Sequence, residues 1–208
     1  MTRPLDVKRD LDEYQAHAGT MRRLVVPPHR YLMVDGHGDP NTAPRYQDAL
    51  QTLYPAAYAL KAVCREELGR DHVVPPLEGR WWAEDLAAFT TARDKDAWDW
   101  TLLLLVPDHA GEEHVEAALA RARSRRTPPP LIEELRCEVL DEGNCVQTLH
   151  VGPYDDEGPV LARLHEEVLP GLGLRPRGHH HEIYLGDPRR TAPERWRTIL
   201  RQGVEPTS

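Results

Sequence analysis

Glu182 is the residue in this chain best placed for chemistry. It lies in His179-His180-His181-Glu182-Ile183-Tyr184-Leu185-Gly186-Asp187-Pro188, which reads as a β-strand closing in a turn. Side chains on a strand alternate faces, so His180, Glu182 and Tyr184 are expected to share one side. A carboxylate flanked by an imidazole and a phenol can bind a cation, act as a general base or orient a water. An exposed acid paired with an arginine is the plainer reading of Glu182.

Tryptophans form the second group. Trp81, Trp82, Trp98 and Trp100 fall close together in a chain with only 6% aromatic residues. Indoles suit a stacking wall for a flat ligand and attract cations through the ring face. If Trp82 faces a cleft, Trp81 faces away, whereas Trp98 and Trp100, two apart on one strand, face together. All four would serve equally as core. Tyr154 and Tyr46 follow turns and fit either the mouth of a cleft or simple packing. The candidate ligand contacts are Trp82, Trp98, Trp100, Tyr58, Tyr154, His180 and Glu182. The candidate catalytic pair is Glu182, as a base toward water, and Tyr184, as a donor to an oxygen that gains charge; Tyr58 is the alternative donor.

The three histidines invite a metal reading. On a strand only His179 and His181 share a face, Glu182 is excluded from that pair, and no spaced partner set completes a tetrahedral site. No metal is therefore expected. No Walker loop, dinucleotide fingerprint or nucleophile elbow is present, so no cofactor is expected either.

Positioning these groups takes a particular run of elements. A strand at 30–36 is followed by helical spacing at Leu50, Leu53, Ala57, Leu60, Cys64 and Leu68. Pro44 suits the first turn of that helix, Gly69 its end, and Pro55 predicts a kink or a split. Short strands follow at 77–85 and, after a linker around Phe89, at 98–106. The segment 107–143 holds one amphipathic helix with an apolar stripe of Val115, Ala118, Leu119 and Ala122, then a strand at 135–140. The first pattern then recurs as a strand at 145–151, a helix through Val160, Leu161, Leu164 and Val168, and strands at 178–186 and 195–202. The expected fold is α+β, one domain over 1–208. Tandem strand-helix-strand-strand repeats, about 21–106 and 144–204, are related by a pseudo-two-fold axis around a central ligand cleft.

The 208 residues carry a formal charge of −8, a poor footing for nucleic-acid binding. Cys64, Cys137 and Cys145 show no paired spacing, which fits a reducing compartment. The charged N-terminus reads neither as a signal peptide nor as an anchor, and the longest apolar run, residues 102–106, is far too short to span a bilayer. A cytoplasmic protein is expected.

The chain resembles the GyrI-like small-molecule-binding proteins, in their stand-alone branch. The resemblance rests on the stretches at 31–40, 78–82, 98–101, 150–154 and 181–190, in that order and spacing. It implies tandem strand-helix-strand-strand units around a cleft that takes bulky, planar, often cationic or electrophilic molecules. Relatives include effector domains of MerR- and AraC-type multidrug regulators, gyrase-protecting proteins and hydrolases of cyclopropanoid cyclohexadienones. In them an acid at the position of Glu182 contacts the ligand or activates water, and Tyr184 belongs to the same motif. The resemblance thus implies drug sequestration or detoxification, alternatively ring-opening hydrolysis, alternatively protection of gyrase as a protein partner. No helix-turn-helix pattern precedes the domain, so no direct contact with DNA is expected.

Overall fold

The computed structural model describes residues 3–84 and 94–207; Asp85 and the linker around Phe89 lie outside them. Eight strands, β1 (Arg22–Val26), β2 (His29–His37), β3 (Glu78–Trp82), β4 (Asp99–Leu105), β5 (Arg136–Leu140), β6 (Gly143–Val151), β7 (Leu174–Tyr184) and β8 (Arg197–Pro206), form one antiparallel sheet. The order is β1-β6-β8-β7-β3-β4-β2-β5. From the central pair β7 and β3, each half reads outward as its second, third and first strand, then an edge strand. The strand-helix-strand-strand unit thus occurs twice, as the sequence pattern predicts. β1, a short edge strand, is an addition to that pattern.

The helices are α1 (Val7–Asp10), α2 (Pro44–Leu68), α3 (Glu112–Arg123), α4 (Gly158–Ala162) and α5 (Leu169–Gly171), the last two joined through a π-helical segment, Arg163–Val168. Pro44 occupies the first turn of α2, and Gly69, at φ 63°, closes it by donating its N–H to the Cys64 carbonyl. The expected split at Pro55 does not occur; the helix runs unbroken through it. Leu53, Ala56, Ala57 and Leu60 anchor both sides of the proline in the core, and that burial offsets the lost hydrogen bond.

The aliphatic run of β4 is buried on both sides. Leu102 and Leu104 join Leu32, Val34 and α2 on one face, whereas Leu103 and Leu105 join Tyr31, Met33, Ile183 and Ile199 on the other. Each such leucine contributes about 1.5–3 kcal/mol by leaving water. Val7, Tyr14 and Ala16 pack on the second face, so the polar N-terminal segment covers the back of the sheet.

Gly36 on β2 lies against the Trp100 ring on its neighbour β4, and a Cβ there would overlap the indole. Gly36→Ala is expected to cost about 1–3 kcal/mol by overpacking, read as a lower urea midpoint at unchanged m-value.

Candidate functional site

The site is built on the central strand pair. β3 and β7 align Gly79 with Glu182, Arg80 with His181 and Trp81 with His180. Cross-strand partners share a face, so His180, Glu182 and Tyr184 stand with Trp81 on the side covered by α2. Glu182 faces a glycine, and the Trp81 indole folds over that bare backbone, leaving no room for a Cβ at Gly79. From there Trp81 Nε1 donates to the Tyr184 hydroxyl at 3.1 Å, and Tyr184 donates to Glu182 Oε2 at 2.7 Å. His180 Nε2 lies 3.5 Å from Glu182 Oε1. The relay fixes the orientation of a carboxylate that is only 14% exposed.

Rings surround it. Tyr154 meets Tyr184 edge-on at 5.4 Å and stacks on Trp196 at 4.6 Å. Tyr46, from the first turn of α2, lies between Trp81 and Trp100, at 6.5 and 5.3 Å. Trp98 meets Trp81 edge-on at 5.7 Å. Burial, reinforced by the charge of Glu182, raises the phenols of Tyr46, Tyr154 and Tyr184, which therefore remain protonated donors. Tyr154 also lines an adjoining cavity of about 230 Å³ with Leu185, Gly186, Thr191, Arg195, Trp196 and Arg197.

A second buried acid feels the charge of the first. Glu157, at the N-cap of α4, is 4% exposed, and its Oε1 has no hydrogen-bond partner among the described residues. Burial and then the negative charge of Glu182 push it up to about 10; Thr198 acts in the opposite sense without offsetting them. Glu157 is thus a neutral acid at pH 7. Desolvation, together with His180, pushes His165 of the π-helical segment down to about 4, so it adds no positive charge there.

The structure therefore brings Glu182, Tyr184, His180, Tyr154 and Trp98 to one face. Trp100 shares that face but is completely buried, with its indole donating to the Gly38 carbonyl, so it serves as core. Trp82 points to the opposite face and stacks on His179 at 4.2 Å, reversing the expected phase of the two adjacent indoles. The register with β7 decides that phase, and β3 alone does not reveal it. Tyr58 is 60% exposed and lines a separate depression between α2 and α3 with Pro55 and Arg121, so it is not a wall of this site. Tyr184 donates to Glu182 itself, so its hydroxyl positions the acid. His181 is completely buried between Glu78 and Glu142, at 3.0 Å from each. Sequence reasoning missed Trp81, Glu157 and Trp196. Only Trp81 left a signal, as the immediate neighbour of a named candidate.

A sheet with its longer helices on one face, and an acid set among indoles and phenols, fits a small-molecule-binding domain of the α+β class. The chain belongs to the GyrI-like family. The family's model, the GyrI-like small molecule binding domain, matches residues 106–201. An uncharacterized conserved protein from Listeria innocua is 39% identical over 97% of this chain and 100% of its own, with a TM-score of 0.85. A second Listeria innocua protein, described as a hydrolase encoded by lin2189, is 37% identical over 98% of this chain and 100% of its own, at 0.83. The C-terminal domain of EcmrR shares the fold at 10% identity, with a TM-score of 0.52 over 90% of this chain and 98% of that domain. Among curated proteins none matches. No helix among the described residues is long and apolar enough to cross a membrane.

Proposed function

We propose that the protein captures planar aromatic molecules, cationic or electrophilic, over the central strands β7 and β3, with Glu182 as the polar anchor. One observation carries this reading. Glu182 is part-buried and held by Tyr184 among aromatic rings, and among the described residues no lysine or arginine forms an ion pair with it. A carboxylate so placed favours a ligand that supplies the missing positive charge, and indole faces strengthen that preference.

The pairing of Glu157 with Glu182 supports a second reading, hydrolysis. Burial and the charge of Glu182 hold a proton on Glu157, which supplies an acid beside the proposed base. Glu182 takes a proton from water while the water oxygen bonds to a carbon of a strained cyclopropane. The ring C–C bond breaks, its electrons pass to the conjugated carbonyl oxygen, and Glu157 gives that oxygen its proton. The relatives described as hydrolases, 36% and 37% identical to this chain, support the same reading.

Glu182→Gln tests both. The amide still accepts from Tyr184, so the relay survives. For a planar cation such as ethidium, calorimetry should show affinity falling about 10- to 100-fold, as expected for a charged contact of about 1.5–3 kcal/mol. An uncharged compound of the same shape should bind the variant as it binds the parent. For a cyclopropane-bearing dienone, the product heavier by one water should form at least about 100-fold more slowly at similar affinity. Equal ethidium affinity in parent and variant would refute the anchor, and undiminished turnover would refute the base.

A further inference from the structure

Away from Glu182, three residues from different parts of the fold converge. Cys64 on α2 and His72 in the segment before β3 are both buried, and His109 follows β4 in the loop before α3. A ligand atom from each lies within 4.8 Å of the other two. The imidazoles stand 5.4 Å apart, tilted by 55°. His72 Nδ1 and His109 Nε2 are buried with no hydrogen-bond partner among the described residues. Two such nitrogens beside a buried thiol are costly as plain packing, because each forgoes a hydrogen bond it would have in water.

The scaffold around them is built. Leu5 and His72 form an isolated parallel bridge, with Leu5 N–H donating to the Asp71 carbonyl at 3.1 Å and Val73 N–H to the Leu5 carbonyl at 2.8 Å. Lys61 reaches from α2 to the His72 carbonyl and pairs with Asp71 at 3.0 Å, so its charge is engaged next to the cluster. Ala110 N–H donates to the Pro107 carbonyl at 2.9 Å, turning the loop that carries His109.

We propose that Cys64, His72 and His109 form a zinc(II) site, with water at the fourth corner on the half-exposed side of His109. One thiolate and two imidazoles make a borderline-soft set that suits zinc. With bonds of about 2.0–2.3 Å, ligand atoms in a tetrahedral site lie about 3.3–3.8 Å apart, so closure needs a movement of about 1 Å. On binding, Cys64 loses its proton to solvent and its sulfur bonds the metal, with one proton released per ion. The ion would tie α2, the segment before β3 and the loop after β4 together.

Cobalt(II) serves as the visible probe on the chelator-stripped 208-residue chain. One equivalent should bind with a thiolate-to-cobalt charge-transfer band and the intense visible bands of a tetrahedral ion, and one equivalent of zinc should displace it. Cys64→Ala should abolish the charge-transfer band, His109→Gln should weaken binding at least tenfold, and Cys137→Ala should change neither. Absence of the band in the parent protein, or its survival in Cys64→Ala, would overturn the proposal. If Cys64→Ala does not fold, His109→Gln, on a half-exposed loop, decides: unchanged affinity there overturns the site.

Discussion

Glu157→Gln is expected to be more stable than the parent at neutral pH, by about 3 kcal/mol. The sign follows from proton uptake. In the unfolded chain Glu157 loses its proton near its ordinary value of 4.5, whereas in the fold burial and the charge of Glu182 hold that proton up to about 10. Between those limits the folded state binds the extra proton, so stability from this group is complete below 4.5 and declines as pH rises toward 10. At pH 7 the decline spans about 2.5 units, or about 3 kcal/mol at 1.36 kcal/mol per unit. Glutamine imitates the neutral acid without the penalty. Urea unfolding of both proteins at pH 4, 7 and 9 should give equal stabilities at the first and a widening gap at the others. A constant gap across that range would mean that Glu157 is not held neutral. The same substitution removes the proton that hydrolysis would use, so stability and turnover should move in opposite directions.

Arg201→Met should act the other way, costing about 3–5 kcal/mol and lowering Tm by roughly 6–20 °C. Arg201 lies in a buried network on the back of the sheet. It donates to Glu142 Oε2 at 2.8 Å, to Gln147 Oε1 at 2.9 Å and to the Glu13 carbonyl at 2.6 Å. Burial alone would push Glu142 up, but His181 and Arg201 outweigh it and hold that carboxylate well below its usual range. Burial would likewise push His181 down, but Glu142 and Glu78 outweigh it and raise the imidazole. The depressed acid stabilises the fold above its unfolded value and loses that contribution as pH falls. The raised imidazole stabilises below its unfolded value and loses that contribution as pH climbs through its folded one. The two overlap from about pH 4.5 to 6.5, where this network contributes most. Methionine leaves Glu142 with His181 alone, so acid unfolding should begin at a higher pH. A Tm loss of less than about 2 °C at pH 6 would show that the arginine is not integral to the network.

Much of the architecture was legible because it follows from local rules. The period of Leu50, Leu53, Ala57 and Leu60 announced α2, and Pro44 and Gly69 marked its ends. The alternation around Glu182 put Tyr184 and His180 on its face. What escaped depends on partners distant in sequence. The phase of Trp81 and Trp82 is set by alignment with His180. Glu157 sits in Tyr154-Asp155-Asp156-Glu157, where nothing local separates the one buried acid from its exposed neighbours. The back-face network joins Glu13, Glu78, Glu142, His181 and Arg201 across most of the chain, and a polar N-terminus gave no hint that Val7 and Tyr14 cover a sheet. Of the kink or split expected at Pro55, the split did not occur, because packing on either side overruled propensity.

The acid at the centre belongs to the later half of the chain, whereas Trp81, Tyr46 and Trp98 come from the earlier half. On the proposed reading, a guest would need contacts from both halves at once. New chemical tastes can then arise by exchanging a ring in one half while the anchoring group in the other stays untouched.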